Sequence, residues 1–271
     1  MIFRTLFAFI MRDFRQTVSY KFAFLLDLAS VFFNAATFYF VAKLFDSGAG
    51  VSPHLAEYGG QYFPFVLIGI AFAAYQTTGL NSFAQSLRQE QYMGTLESIL
   101  VTPVRIPTFL AGSTLWDFLY ASGEVFFYFL LAFLAFGLTM PTANINMAFL
   151  SLALTLTTFM GLGVLSAAFI LRFKKGNPVA WVIATASELL GGVYFPTSIL
   201  PDWMKSIAEW VPMMHALTAL RKSLLSGAQF ADIQEHIVFL AVFTVVIWPV
   251  GVLAFKWALK RSQADGSLGH Y

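Results

Sequence analysis

The chain has 271 residues, 58% apolar and 11% charged, where an ordinary soluble domain carries roughly 25% charge. That deficit excludes a free-standing water-soluble globule, and a net charge of +2 without a long basic run gives no footing for nucleic acid. The lack of cysteine removes disulfides and thiolate metal sites together.

Residues 1–20 read as a basic amphipathic helix. Arg4, Ala8, Arg12, Arg15 and Ser19 recur at spacings of four and three, leaving Phe3, Phe7, Ile10, Met11 and Phe14 for other faces. Such a helix lies along a membrane surface. Arg12, Asp13 and Arg15 interrupt the apolar runs before residue 21, so neither a cleaved signal nor a span is expected there.

Six stretches, 22–45, 62–83, 116–138, 147–171, 178–195 and 237–259, are apolar enough to cross about 30 Å of hydrocarbon as helix. They lack the strict alternation of a membrane barrel. The expectation is an all-α integral membrane protein of six spans, one domain over 1–271. With the N-terminus in the cytoplasm, twelve of the sixteen Lys and Arg fall inside and only Lys43, Lys205, Arg221 and Lys222 outside, a positive-inside bias that places both termini in the cytoplasm.

The first outer loop, 46–60, is rich in Gly, Ser and Pro and reads as a connector. Between spans two and three the polar segment 85–107 carries Tyr92, Met93, Leu96, Ile99 and Leu100 at helical spacing, which predicts a short cytoplasmic helix with one apolar face. Lys175-Gly176-Asn177-Pro178 combines helix-stop and helix-start residues, marking a sharp turn before the fifth span. That span, 178–195, reaches about 27 Å, slightly short of the bilayer. In 196–235, Trp203, Ile207 and Trp210 make one stripe and Met213, Leu217, Leu220 and Leu224 another after Pro212. Two short amphipathic helices are expected, partly re-entrant from the outer side; a hairpin resting on the headgroups is the alternative.

Charges inside spans are costly and mark functional positions. Four acidic residues fall inside or at the edges of the spans: Asp27, Asp117, Glu124 and Glu188. Asp117 and Glu124 are seven residues apart, hence on one helix face, and Ser113, Tyr120 and Tyr128 extend the stripe. This is the candidate translocation path, although Asp117 is also compatible with an interfacial position and Glu124 with a protonated or hydrogen-bonded packing role. No Walker loop, His-Glu-x-x-His or Gly-x-Ser-x-Gly occurs, so the expectation is a transport subunit and not an enzyme. His54, His215, His236 and His270 lack metal-ligand spacing, and no metal site is expected.

The run Arg88-Gln-Glu-Gln-Tyr-Met-Gly-Thr-Leu-Glu-Ser-Ile-Leu-Val-Thr-Pro103 resembles the cytoplasmic segment of ABC-2 type transporter permeases, where an acidic residue precedes a Gly-Thr-Leu-Glu core and a Thr-Pro. The stretch Gly192-Val-Tyr-Phe-Pro-Thr-Ser-Ile-Leu-Pro-Asp-Trp203, followed by Val211-Pro212, Ala219-Leu-Arg221 and Leu225-Ser-Gly227, resembles that family's segment after the fifth span. The resemblance covers nearly the whole chain. It implies a prokaryotic inner-membrane half-exporter that pairs with a second permease copy, expected as a homodimer, and docks on a separate nucleotide-binding subunit holding ATP and Mg. It carries Glu90, Gly94, Thr95, Glu97, Thr102 and Pro103 over as the coupling element, with Glu97 contacting the ATPase. It also implies an outer gate shaped by Phe195, Pro196, Pro201, Trp203, Pro212 and Arg221, with Glu188 a candidate partner for the Arg221 charge. The high aromatic content suits an amphiphilic cargo: drug, lipid or lipid-linked glycan. The alternative is a proton-coupled carrier using Asp27, Glu124 and Glu188 as its relay.

Overall fold

A computed structural model describes residues 2–46, 53–94, 106–173 and 177–264. Among the described residues the fold is helical: α1 (Ile2–Ser19), α2 (Lys21–Asp46), α3 (Tyr62–Tyr92), α4 (Ile106–Leu134), α5 (Ile145–Phe173), α6 (Pro178–Leu190), α7 (Asp202–Ala208), α8 (Pro212–Leu225) and α9 (Phe230–Ala264). Short 3-10 turns at Pro53–Tyr58 and Thr197–Ile199 complete it. No strand occurs among them.

Five helices are long and apolar enough to cross a membrane: Lys21–Phe45, Tyr62–Glu90, Thr114–Leu134, Ile145–Phe173 and Phe230–Ala264. The sixth expected crossing, 178–195, is helical only over Pro178–Leu190, about 20 Å at 1.5 Å per residue. The Gly191-Gly192 turn ends it. Its start agrees with the sequence: the Asn177 side chain accepts from the Ala180 amide at 3.1 Å, and Pro178 occupies the first turn.

Other boundaries move outward. The helix predicted over 62–83 runs on to Tyr92, because the Gln, Ser, Leu, Arg and Glu beyond the apolar window are adequate helix formers. The first part of the polar 85–107 segment is therefore the tail of α3 and no separate loop. Likewise α4 begins ten residues before the expected 116, and α9 seven before the expected 237.

The core lies around α3 and α5, which are mostly buried, while α2 and α9 expose most of their surface. Phe65, Leu67, Ile68 and Leu80 of α3 close against Phe159 of α5 and Met213, Leu217 and Leu220 of α8. Where α3 and α5 cross, a Cβ added to Gly163 would stand 1.9 Å from the Gly79 carbonyl oxygen. Small residues allow such close approach between membrane helices, where packing and not hydrophobicity drives association.

Candidate functional site

One face of the bundle carries a polar column. It begins in a cavity of about 520 Å³ bounded by α1, the start of α2, the later half of α3 and the early part of α4. The α4 stripe turns Asp117 and Tyr120 into this cavity, and α2 contributes Asp27. Tyr120 donates its hydroxyl to Asp27 Oδ2 at 2.6 Å, and Ser82, whose hydroxyl donates to the Thr78 carbonyl at 2.8 Å, lines the same cavity as Asp117. One turn further along α4, Glu124 lies within electrostatic reach of Asp27. Tyr128 lies in turn within reach of Glu124 and Tyr194, and Tyr194 within reach of Glu188. The six path candidates thus fall in one succession, with Tyr194 as the link that spacing did not reveal. Along α2 the exposed Ser30, Asn34 and Thr37 continue from Asp27 at helical spacing. Burial, with the Glu188 charge adding to it, raises the Tyr194 phenol above its ordinary pKa.

At the cavity's α1 end, the side chain of Arg12 is about half exposed and meets two carboxylates, Asp13 at 2.7 Å and Glu90 at 3.3 Å. Burial works against its charge, but those two acids more than offset it and hold the guanidinium above its ordinary pKa. α1 is further fixed to α4. Trp116 Nε1 donates to Thr17 Oγ1 at 2.9 Å, and the Trp116 ring meets Phe14 edge-on at 5.4 Å. Glu90 is accordingly a buried carboxylate turned onto α1. Gly94 ends this described stretch with Tyr92 and Met93 exposed beside it. Thr95, Glu97, Thr102 and Pro103 lie outside the described residues.

The opposite end is stitched shut. Arg221 of α8 is 2% exposed and donates to three backbone carbonyls: Nε to Phe65 at 3.0 Å, Nη1 to Gly192 at 2.7 Å and Nη2 to Val193 at 3.0 Å. Its guanidinium also lies over the Phe65 ring, 3.5 Å from the centroid. Among the described residues it meets no carboxylate, so Glu188, which is exposed on α6, is not its partner. The carbonyls of Gly192 and Val193, just past the end of α6, and of Phe65 in the first turn of α3 accept from the cation in its place. Burial pushes the Arg221 pKa below the ordinary arginine value, with the Tyr58 and Tyr62 phenols acting the other way. The close approach needs Gly69, where a Cβ would stand 2.1 Å from the Val193 carbonyl oxygen.

Around Arg221 the remaining outer positions act as bends and surface. Pro196 and Pro201, both extended, precede the Thr197–Ile199 turn and α7, and buried Pro212 opens α8. Phe195 is half-buried and Trp203 exposed. His215 donates from Nε2 to the Glu209 carbonyl at 2.8 Å, so its Nδ1 accepts from His236 Nδ1 at 2.9 Å. Its ring stacks on Phe239 at 3.8 Å. Burial lowers the His215 pKa, opposed by the Glu209 carbonyl bond and the Glu235 and Glu209 charges. Among the described residues no group of three or more His, Cys, Asp or Glu is placed to hold a metal.

A family model described as ABC-2 type transporter matches residues 4–225. The linearmycin resistance permease protein LnrN of Bacillus subtilis (strain 168) is 24% identical over 144 residues, 50% of this chain and 37% of that protein. The inner membrane transport permease YadH of Escherichia coli (strain K12) is 22% identical over 199 residues, 70% of this chain and 75% of that one. Nodulation protein J of Rhizobium leguminosarum bv. viciae is 26% identical over 242 residues, 86% and 89% respectively. The chain therefore spans little more than a third of the Bacillus relative and most of the other two.

Proposed function

Because the chain belongs to the ABC-2 type transporter family and is a multi-pass membrane transport permease, we propose that it forms the membrane path of an ATP-driven exporter. Two copies assemble in a prokaryotic inner membrane, both termini cytoplasmic, on a separate ATPase subunit that holds ATP and Mg. The cargo is an amphiphile moved outward. The resistance permease and inner membrane permease among its relatives support export and this location.

The observation that carries the reading is the polar column Asp27, Tyr120, Glu124, Tyr128, Tyr194, Glu188. Its α2 and α6 members lie on exposed helix faces, at a depth where polar groups belong against an aqueous path or a second subunit. Energy enters at the other end of α3. There the residues from Gly94 through Thr95, Glu97, Thr102 and Pro103 form the coupling element, Glu97 meeting the ATPase, while Glu90 transmits the motion to α1 through Arg12. At the outer side the helical part of α6 stops short, the turn after it completes the crossing, and the segment through α7 and α8 dips back as a gate carried on the Arg221 anchor.

The test is co-purification of the chain with its ATPase, and then transport in sealed vesicles. Substrate movement that needs ATP, and that is lost in Glu97→Arg, supports the reading. Movement driven by a pH gradient without any ATPase would replace it with the proton-relay alternative, for which the tight Tyr120–Asp27 hydrogen bond is the favouring observation.

A further inference from the structure

The cavity beside α1 has a charge imbalance that bears on what it admits. Among the described residues it is lined by four carboxylates, Asp13, Asp27, Glu90 and Asp117, and by one cation, Arg12. Arg12 is already committed to Asp13 and Glu90. Asp27 accepts the neutral hydroxyl of Tyr120, and among the described residues neither Asp27 nor Asp117 is ion-paired with a cation.

Beside the two acids stands an aromatic wall. The Tyr120 ring lies 6.5 Å from both Phe24 and Trp116, and all three line the cavity. Aromatic faces attract organic cations and repel anions, and ammonium heads are held elsewhere by such rings. A volume of about 520 Å³ is of ligand-pocket size. The helix that supplies Phe24 and Asp27 also exposes Phe22, Leu25 and Leu26, an apolar surface along which an alkyl tail can remain in lipid.

We propose that this cavity receives the cationic ammonium head of an amphiphilic substrate and rejects anionic heads. Binding itself stands apart from the export reading; only the subsequent outward movement of the bound amphiphile rests on it. A phosphate or sulfate head would face Asp27 and Asp117 with no uncommitted cation among the described lining residues, whereas an ammonium gains both carboxylates and the ring faces.

The experiment uses the full-length permease in phosphatidylcholine nanodiscs without nucleotide. Three fluorescent alkyl probes of one tail length carry a trimethylammonium, a hydroxyl or a phosphate head, and binding is corrected for partition into empty nanodiscs. The ammonium probe should bind at least about tenfold tighter than the phosphate probe, with the gap narrowing as salt rises. Asp27→Asn combined with Asp117→Asn should bring the ratio close to one; if the double variant lacks a normal melt, Asp117→Asn alone should lower the ratio. Equal binding of the probes, preference for phosphate, or an unchanged ratio in the folded variants overturns the proposal. Repeating the assay with the ATPase and ATP separates the two claims. Ammonium preference without ATP-driven movement sinks export and leaves the site; ATP-driven movement of the phosphate probe without ammonium preference does the reverse.

Discussion

Arg221 and Arg12 each join distant segments of the chain, and they do so by opposite means. Arg221 is buried, meets no carboxylate among the described residues and spends its fork on three fixed carbonyls from α3 and the turn after α6. Arg12 is about half exposed and faces two side-chain carboxylates, one of them on the tail of α3. A cation desolvated against backbone is expensive to release, because the carbonyls it leaves stay unpaired in a dry interior. An ion pair that water reaches on its arginine side costs less to open, even with Glu90 itself buried. The Arg221 end is thus held by fixed backbone acceptors, whereas the Arg12 end is joined by side chains that water partly reaches.

The strongest way to break this contrast is Arg221→Met. It should lower unfolding free energy by about 3–5 kcal/mol, since three buried carbonyls lose their donor at about 1–3 kcal/mol each, read as a fall in the melting temperature of the purified permease in detergent. Arg221→Lys should recover less than half, since an ammonium cannot reproduce a planar fork aimed at three acceptors. Unchanged melting in Arg221→Met would show that the anchor is idle. Gly69→Ala should cost about 1–3 kcal/mol, as its methyl displaces the Val193 carbonyl that accepts from Nη2. Because the two substitutions act on one contact, the double variant should lose less than their sum; strict additivity would mean that Gly69 and Arg221 act separately.

These sites are unequally legible in the sequence. The α4 stripe is readable because a spacing of seven fixes a helix face without any tertiary knowledge. The partner of Arg221 is not, since backbone carbonyls leave no residue signature and the visible counter-charge, Glu188, points to a pairing that does not form. Hydropathy finds the spans but misplaces their ends. An apolar window reports the hydrocarbon, whereas helices such as α3 and α9 continue through polar helix formers into the interface. The bonds Tyr120–Asp27 and Arg12–Glu90 cross 93 and 78 positions, a separation over which one sequence carries no pairing information.

A smaller effect sharpens the picture of the Arg221 end. His215 has a depressed pKa through burial, so its contribution to stability is fully present above the ordinary imidazole value of about 6.5. It is lost as pH falls below that value, because the unfolded chain binds the proton first. The groups facing the His215–His236 pair are Glu209, Glu235, Lys222 and Glu57. Melting temperature should therefore drop between pH 7 and pH 5 in the wild-type chain, and drop less in His215→Gln. Equal acid sensitivity in both would place the titrating group elsewhere.

The least stability change belongs to the α1 joint, and there the contrast is most exposed to failure. Arg12→Gln or Glu90→Gln should shift unfolding by about 1–2 kcal/mol, since water already solvates about half of the guanidinium while the Glu90 carboxylate is buried. If the proposed complex with a partner ATPase holds, each variant should nevertheless reduce transport-coupled ATP hydrolysis severalfold, because the link from the tail of α3 to α1 is cut. Exchanging the charges in Arg12→Glu with Glu90→Arg should restore coupling without restoring the native sequence. A joint and a brace differ in which quantity moves. If the single variants melted several kcal/mol lower while leaving coupled hydrolysis intact, Arg12 would be a brace like Arg221, and the difference between the two ends would be one of exposure alone.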